Sequence, residues 1–269
     1  MKILRVVSDL RNFQMNPAAS GTTVLRAVKF LSLCFFLSIF AACTTSEKVD
    51  TSTPDGAFKQ AEQWEKDERY EEAIAKFTEV KNKYPYSRLA TQAELKIADV
   101  HYKREAFAEA ASAYQLFKEF HPKHPQSDYV TFRLAESYFS QLPSTIDRDL
   151  SIADKAILYY DEVMNSYATS SYAADAKKKR EEALKMLAQK EMYIANFYAK
   201  RENWDSAMRR FEGVLKQYPN LGYDSEALYG AARSAFKSGE KERAQQHLRN
   251  LQSLYPNTDE ARRAKNELE

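Results

Sequence analysis

Alanine and aromatic residues recur along this chain in a pattern that repeats five times. Three segments follow the pattern aromatic-x-x-Ala-x-x-x-aromatic: YEEAIAKF (70–77), FAEAASAY (107–114) and WDSAMRRF (204–211). Two weaker copies are ADKAILYY (153–160) and KERAQQHL (241–248). Residues three and four positions apart share one face of a helix, so each segment predicts a helix whose apolar face carries a small residue between large ones.

A fixed frame surrounds the shared alanines, which are Ala73, Ala110, Ala156, Ala207 and Ala244. Twelve residues after them lie Pro85, Pro122, Ala168, Pro219 and Pro256, and twelve residues before four of them lie Ala61, Ala98, Ala195 and Ala232. Small residues let two helices cross closely, and proline cannot continue a helix. This small–small–proline spacing is that of a tetratricopeptide repeat. It predicts an all-α fold, a superhelical array of five tetratricopeptide-like helical hairpins.

Two irregularities interrupt the period. In the third unit, Ala135 lies 21 residues before Ala156, which predicts an inserted loop around QLPSTIDRD (141–149). Between units three and four, about 17 extra residues have no helix breaker and predict one long helix that ends near Tyr198. We therefore expect units 1–3 over residues 57–170, and the long helix with units 4–5 over residues 171–269.

The N-terminal part has a different pattern. An almost wholly apolar run over residues 28–42 follows Arg26 and includes Lys29. The run is shorter than the roughly 20 apolar residues that span a bilayer, so a transmembrane helix is the weaker interpretation. A basic front, a short apolar core and small residues at its end predict a secretory signal peptide over residues 1–42, cleaved after Ala42.

The cysteine at the end of this run is informative. The segment FAAC (40–43) resembles the lipobox of bacterial lipoproteins, although Phe40 replaces the usual Leu. The resemblance implies that Cys43 receives a diacylglycerol thioether and anchors the protein; the alternative is an ordinary signal peptide followed by a chance cysteine. Thr44 stands where an aspartate would resemble the inner-membrane retention signal, which favours the outer membrane. A polar tether is expected over residues 43–56.

The segment before the apolar run is long for a signal peptide. Met15 is in frame and would give a signal of more ordinary length, so we expect translation to begin there and residues 1–14 to be a misassigned extension. Neither residues 1–14 nor the rest of the signal peptide is expected to contribute to the folded protein.

Composition narrows the function classes. The chain has 40 Lys and Arg and 38 Asp and Glu; five basic residues and one acidic residue fall in residues 1–42, which leaves 35 and 37, a net charge of −2. A near-neutral mature chain gives no indication of nucleic-acid binding. The two cysteines are Cys34 and Cys43, so the repeats contain no thiol for disulfide or thiolate chemistry.

No catalytic or metal-binding constellation is evident, so we expect neither an enzyme nor a cofactor. His121 and His124 each precede a proline in FHPKHP (120–125), which disfavours helical geometry, and no third ligand follows at metal-site spacing. Most aromatic residues occupy repeat positions and are expected in the core. Solenoids also bind extended peptides through exposed aromatics. The candidates for such a role are Trp64, Tyr70, Tyr102 and Phe107.

Several segments together resemble one family, the BamD (ComL-type) outer membrane protein assembly factors. They are FHPKHP, IDRDLS (146–151), SSYAADAKKKR (170–180) and LAQKEMYIANFYAKRENWDSAMRRFEGVLKQYP (187–219). The resemblance covers roughly residues 43–256. It implies a lipoprotein of the β-barrel assembly machinery on the periplasmic face of the outer membrane. It also implies accessory assembly lipoproteins as further partners.

The resemblance also implies that the N-terminal and C-terminal repeats bind different partners. The C-terminal repeats would bind the membrane-proximal POTRA domain of the barrel subunit BamA, and the N-terminal repeats would receive unfolded outer membrane proteins. Similarity is densest over residues 187–219, where arginine and tryptophan, the residue types most frequent at interface hot spots, cluster. We predict that the POTRA-binding residues are Glu191, Arg201, Trp204, Arg209 and Arg210. The alternative function is a periplasmic repeat lipoprotein that recruits cell-wall hydrolases or synthases.

Overall fold

The structure is a computed structural model and describes residues 50–268. The predicted signal peptide, the predicted lipidation site Cys43 and the first half of the predicted tether lie outside the described residues. Everything below concerns the remaining part of the chain.

The described residues form eleven α-helices and no strand. The helices of the first three hairpins are α1 Pro54–Lys66, α2 Tyr70–Lys83, α3 Arg88–Lys103, α4 Phe107–Phe120, α5 Ser127–Phe139 and α6 Ala153–Ser166. The helices that follow are α7 Ala173–Lys200, α8 Trp204–Gln217, α9 Asp224–Ser238, α10 Lys241–Leu254 and α11 Asp259–Leu268. The predicted all-α array of tetratricopeptide-like hairpins is confirmed, with α11 as an additional helix beyond the fifth hairpin.

Consecutive helices pack against one another along the array, and α11 packs against α9 and α10. All ten small residues of the predicted frame are buried. Those of the first helices are Ala61, Ala98, Ala135, Ala195 and Ala232, and none is exposed to solvent. Those of the second helices are exposed by no more than 6%. Alanine at these crossings lets the helix axes approach while Phe77, Tyr114, Tyr160 and Phe211, four residues later, fill the space between hairpins.

The first helix begins before the predicted end of the tether. Pro54 is the first residue of α1, and the Thr53 side chain accepts a hydrogen bond from the Gly56 backbone N–H at 3.1 Å. A threonine cap followed by proline at the first helical position is a strong start signal, because proline removes a backbone N–H that would have no partner there. The helix therefore begins three residues before the end of the tether that was predicted over residues 43–56.

Four of the five hairpin turns share one backbone feature, a residue in the left-handed region. These residues are Glu68, Glu105, Glu202 and Gly239, with φ between 59° and 86°. The left-handed conformation places the Cβ of an L-residue close to a carbonyl oxygen, so only glycine adopts it without that cost. Three hairpins therefore use glutamate where the fifth already has glycine.

Replacing Glu105 with glycine is expected to stabilise the protein by about 1 kcal/mol, because the steric cost of the left-handed conformation is relieved. The matched control is Glu109→Gly, since Glu109 is also an exposed glutamate but lies within α4. That change is expected to destabilise by about 1 kcal/mol through the poor helix propensity of glycine. Urea unfolding of both variants measures the effects, and the same sign for both would contradict this account of the turn.

The long helix α7 joins the two parts of the array. Its first half packs on α6, where Arg180 Nε donates to the Asp161 carboxylate at 2.5 Å, and its second half contributes Met192 and Ala195 to the core beneath α8. The inserted loop between α5 and α6 contacts the same helix, because Lys190 Nζ donates to the Arg148 backbone carbonyl at 2.5 Å. Packing is thus continuous across the expected division at residues 170 and 171.

Candidate interaction surfaces

Trp64 and Tyr70 lie together in the first hairpin. Both side chains are half-buried and pack against the core between α1 and α2. The Trp64 ring is flanked by two cations, with the Arg69 guanidinium carbon 5.0 Å and Lys76 Nζ 5.8 Å from the ring centroid. The indole therefore contributes to the core and also contacts an exposed arginine and a largely buried lysine.

Tyr102 and Phe107 form a second, separate pair. Their rings meet edge to face at 5.3 Å across the turn between α3 and α4. The Arg133 guanidinium carbon lies 4.4 Å from the centre of the Tyr102 ring, at cation–π distance. The structure places the four predicted peptide-contacting aromatics at two successive hairpin turns, which are linked by the ion pairs of Glu65 with Lys103 and of Glu71 with Arg104.

A groove that these four residues do not line runs between α1, α3 and the start of α5. Its volume is about 350 Å³. It is lined by Phe58, Glu62, Gln92, Leu95, Lys96, Asp99, His124, Gln126 and Tyr129. We call it the first-helix groove, since most of its lining belongs to the first helices of units 1–3.

Asp99 organises the polar part of the first-helix groove. Its Oδ1 accepts hydrogen bonds from the hydroxyls of Tyr114 and Tyr129, each at 2.7 Å. Arg133 Nε donates to the Tyr129 hydroxyl at 3.4 Å. Burial, and then the negative charge of Asp99, raise the pKa of Tyr129 to about 12. The network fixes three helices relative to one another and holds a carboxylate at the groove wall.

A buried carboxylate pairs with Lys96, one of the residues that line the groove. Glu65 is only 6% exposed and pairs with Lys96, whose Nζ lies 3.2 Å from Oε2, and with Lys103 through Oε1. A buried carboxylate needs such compensation, because desolvation of an unpaired charge is costly. The groove thus offers apolar walls together with ammonium, carboxylate, amide and phenol groups. These are the groups that bind an extended polypeptide through its backbone and alternate side chains.

Glu191 and Arg210 meet on the surface between α7 and α8. Arg210 Nη1 donates to Glu191 Oε2 at 2.8 Å, and the arginine side chain is 46% exposed. Tyr218 lies beside this pair, and its pKa is raised by burial and then by the charges of Glu191 and Asp154. A guanidinium has five N–H donors, so Arg210 keeps donors for a second carboxylate while it is paired within the chain.

The other three predicted partner-binding residues have different surroundings. The Arg201 guanidinium carbon lies 3.6 Å from the centre of the Phe197 ring at the end of α7. Trp204 is half-buried at the start of α8, with the Arg233 guanidinium carbon 5.5 Å from its ring centroid. Arg209 is exposed on α8. Of the five predicted residues, two form an ion pair with each other, two make cation–aromatic contacts with other residues, and one is an exposed arginine.

The sequence interpretation missed Tyr193 and Phe197. They are 54% and 41% exposed and lie four residues apart on one face of α7; Arg201, the C-cap residue of that helix, follows after four more. The spacing of four residues is visible in the sequence. The sequence alone does not show whether an aromatic residue on a helix is exposed, because exposure depends on where the neighbouring helices lie. The stripe adds apolar area beside the arginines that were predicted.

The two histidines of FHPKHP have structural contacts. His121 Nε2 lies 2.6 Å from Glu94 Oε2, and the ring of His124 meets Phe117 edge to face at 5.1 Å. Within residues 50–268, no group of three or more histidine, cysteine or carboxylate side chains is arranged to hold a metal ion. In the same part of the chain, no helix combines the length and apolar character needed to cross a bilayer.

Comparison with known families decides the class of protein. The family model described as "Outer membrane lipoprotein" (YfiO) matches residues 50–228, well over half of the chain. The chain belongs to this family. A tetratricopeptide repeat model also matches residues 198–268. Membership in the YfiO family associates the protein with the outer membrane and confirms the resemblance seen in the sequence.

Curated proteins similar to this chain include several assembly factors of the same name. A protein of Neisseria meningitidis named "Outer membrane protein assembly factor BamD" is 28% identical over 232 residues, covering 80% of this chain and 87% of the relative. A protein of the same name from Caulobacter vibrioides is 28% identical, and the match covers 66% of this chain and 58% of that protein. Another from Rickettsia prowazekii is also 28% identical, and the match covers 71% of this chain and 75% of that protein. Among solved structures, the TPR2AB domain of yeast Sti1 in its pHSP90 complex is similar, with a TM-score of 0.41 and 16% identity, covering 78% of this chain and 80% of that one.

Proposed function

We propose that this protein is a non-enzymatic scaffold of the β-barrel assembly machinery, anchored through Cys43 to the periplasmic face of the outer membrane. The match of the family model to residues 50–228 carries the proposal, because the curated relatives are outer membrane protein assembly factors. The architecture supports it, since a solenoid presents a long surface on which several partners bind at once.

The two parts of the array would hold different partners. Units 1–3 carry the first-helix groove, whose mixed apolar and polar lining suits an unfolded outer membrane protein in an extended conformation. Units 4–5 carry the Glu191–Arg210 pair and the Tyr193–Phe197–Arg201 stripe, which suit a folded partner. We assign the POTRA domain of a BamA-type barrel subunit to this second surface, and accessory assembly lipoproteins to the assembly as a whole.

Affinity purification from detergent-solubilised envelope tests the proposal. Recovery of a large β-barrel subunit with POTRA domains is expected. Recovery of cell-wall hydrolases or synthases without the barrel subunit would instead identify an adaptor for cell-wall enzymes. A catalytic activity retained by the purified protein would contradict the scaffold role.

Changing Cys43 to serine is expected to release the protein from the membrane fraction. The three acyl chains of a mature lipoprotein hold it firmly, whereas a serine at this position accepts no thioether-linked lipid. Fractionation of the envelope measures the change, and mass spectrometry of the mature N-terminus provides the control. An unmodified Cys43 in the wild-type protein would contradict the anchor.

A further inference from the structure

The loops that join one hairpin to the next lie at one edge of the array, which we call the inter-repeat edge. They span residues 84–87, 121–126, 167–172, 218–223 and 255–258. In units 1 and 2 this edge carries two of the most exposed apolar side chains of the described residues. Tyr86 is fully exposed, at 102% of its reference area, and Phe120 is 75% exposed. Both rings are therefore accessible to a contact at this edge.

The polypeptide enters the array at this same edge. The Tyr84 hydroxyl donates a hydrogen bond to the Ser52 backbone carbonyl at 2.6 Å, which fixes the last residues before α1 against the loop that carries Tyr86. Ser52 is nine residues after Cys43. Nine residues span at most about 32 Å when fully extended. An anchor at Cys43 therefore keeps the inter-repeat edge of the first units close to the membrane.

The chain segment around the first of these loops is basic. Between residues 80 and 93 the chain has three basic residues, Lys81, Lys83 and Arg88, and no acidic one. Lys81 lines a small groove together with Glu94, Leu116 and Phe120, so charged side chains and exposed apolar surface are adjacent. The mature chain as a whole is close to neutral, which makes this a local feature.

We propose that the inter-repeat edge of units 1 and 2 docks on the anionic phospholipid surface that holds the lipid anchor. This inference rests on the proposed anchor at Cys43 and adds a second contact to it. Tyrosine suits the membrane–water interface, because its ring is apolar and its hydroxyl stays hydrated. Lysine and arginine are attracted to anionic headgroups, and a lipid chain combined with a basic patch holds a protein more stably than either alone. Docking would fix the orientation of the array, so that the first-helix groove lies at a defined height above the membrane.

A single fluorescent label tests the contact. The chain has two cysteines, Cys34 in the predicted signal peptide and Cys43, whose sulfur is blocked in the mature lipoprotein, so Tyr86→Cys introduces the one reactive thiol. The full mature lipoprotein is labelled with an environment-sensitive nitrobenzoxadiazole dye. It is then reconstituted into vesicles of phosphatidylethanolamine and phosphatidylglycerol. The matched control is Phe236→Cys, an exposed aromatic near the end of α9, at the opposite edge beside a hairpin turn.

The dye at position 86 is expected to brighten several-fold and shift to shorter wavelength on reconstitution, while the dye at position 236 changes little. Replacing Lys81, Lys83 and Arg88 with glutamine is expected to reduce the response at position 86 at least twofold. Protein that floats with the vesicles but responds equally at both positions, or at neither, overturns the docking and leaves the anchor intact. Protein that does not float refutes the anchor and this inference together. A response that requires a purified barrel subunit assigns the edge to a protein partner and also overturns the proposal.

Discussion

Raising the pH from 9 to 11 is expected to lower the free energy of unfolding by about 3 kcal/mol through two buried tyrosines, Tyr114 and Tyr160. Neither side chain is exposed to solvent. The Tyr114 hydroxyl donates to Asp99 at 2.7 Å, and the Tyr160 hydroxyl donates to Glu136 at 2.5 Å. Burial, and then the charge of the neighbouring carboxylate, raise the pKa of both tyrosines far above the ordinary value.

The direction follows from proton binding. In the unfolded chain a tyrosine releases its proton near pH 10, while in the folded protein both phenols keep theirs. The contribution to stability is therefore fully present below pH 10 and is lost as the pH rises above it. Each tyrosine contributes about 1.4 kcal/mol over this interval, which is a large fraction of the 5–15 kcal/mol that a typical domain has.

Urea unfolding at pH 9, 10 and 11 measures this loss. Tyr160→Phe removes one titrating group and is expected to halve the part of the loss that these tyrosines cause. Val163→Ala is the control, because Val163 is a fully buried neighbour in the same core and does not titrate. It should lower stability equally at all three pH values. If Tyr160→Phe leaves the pH dependence unchanged, the phenol does not keep its proton in the folded state.

The repeat frame could be predicted because its chemistry is local. Each repeat has an alanine, a large residue four positions later and, in most units, a proline twelve positions later, and all of these belong to one hairpin. The structure places the alanines and the large residues in the core, as expected. Ala110 and Phe211, for example, are exposed by 0% and 2%. The same reasoning placed the inserted loop, because Ala135 was out of phase with Ala156.

The groove and its polar network could not be predicted in this way. Asp99 lies on α3, and its partners Tyr114 and Tyr129 lie on two other helices, 15 and 30 residues away. The close contact of α8 and α9 is equally non-local: a Cβ on Gly230 would lie 2.5 Å from the Phe211 ring, so this glycine is needed for packing. Such contacts depend on the angle between hairpins, which the spacing of residues along the sequence does not specify.

The structure also changes the interpretation of Arg210. In the sequence it was an exposed cation next to the core residue Phe211, available to pair with a partner. In the fold it already pairs with Glu191, 19 residues earlier on α7. The arginine therefore has two possible effects on partner binding: direct contact through its remaining N–H donors, or positioning of α8 against α7. A substitution test must separate them.

Arg210→Glu is expected to weaken binding to the POTRA region of the barrel subunit by ten- to a hundredfold, or about 1.4–2.8 kcal/mol. Charge reversal sets two like charges against each other at the interface, which costs more than losing the attraction. It also places two carboxylates together within the chain, so the single variant alone does not identify the cause. Lys216→Glu, an exposed charge reversal later on α8, controls for the change in net charge.

The double variant Glu191→Arg with Arg210→Glu separates the two explanations, because it restores an ion pair between α7 and α8 with its direction reversed. Direct contact predicts that the double variant melts like the wild type and still fails to bind, since the partner's carboxylate then meets a carboxylate on α8 where it met a guanidinium. Positioning alone predicts that binding returns with the ion pair. Surface ion pairs contribute only about 0–1 kcal/mol to stability, so all variants should remain folded, and a thermal melt verifies this. Titration of each variant against the purified POTRA region gives the affinities. Wild-type affinity in a folded Arg210→Glu protein would exclude this arginine from the interface and leave the Tyr193–Phe197–Arg201 stripe as the surface to test.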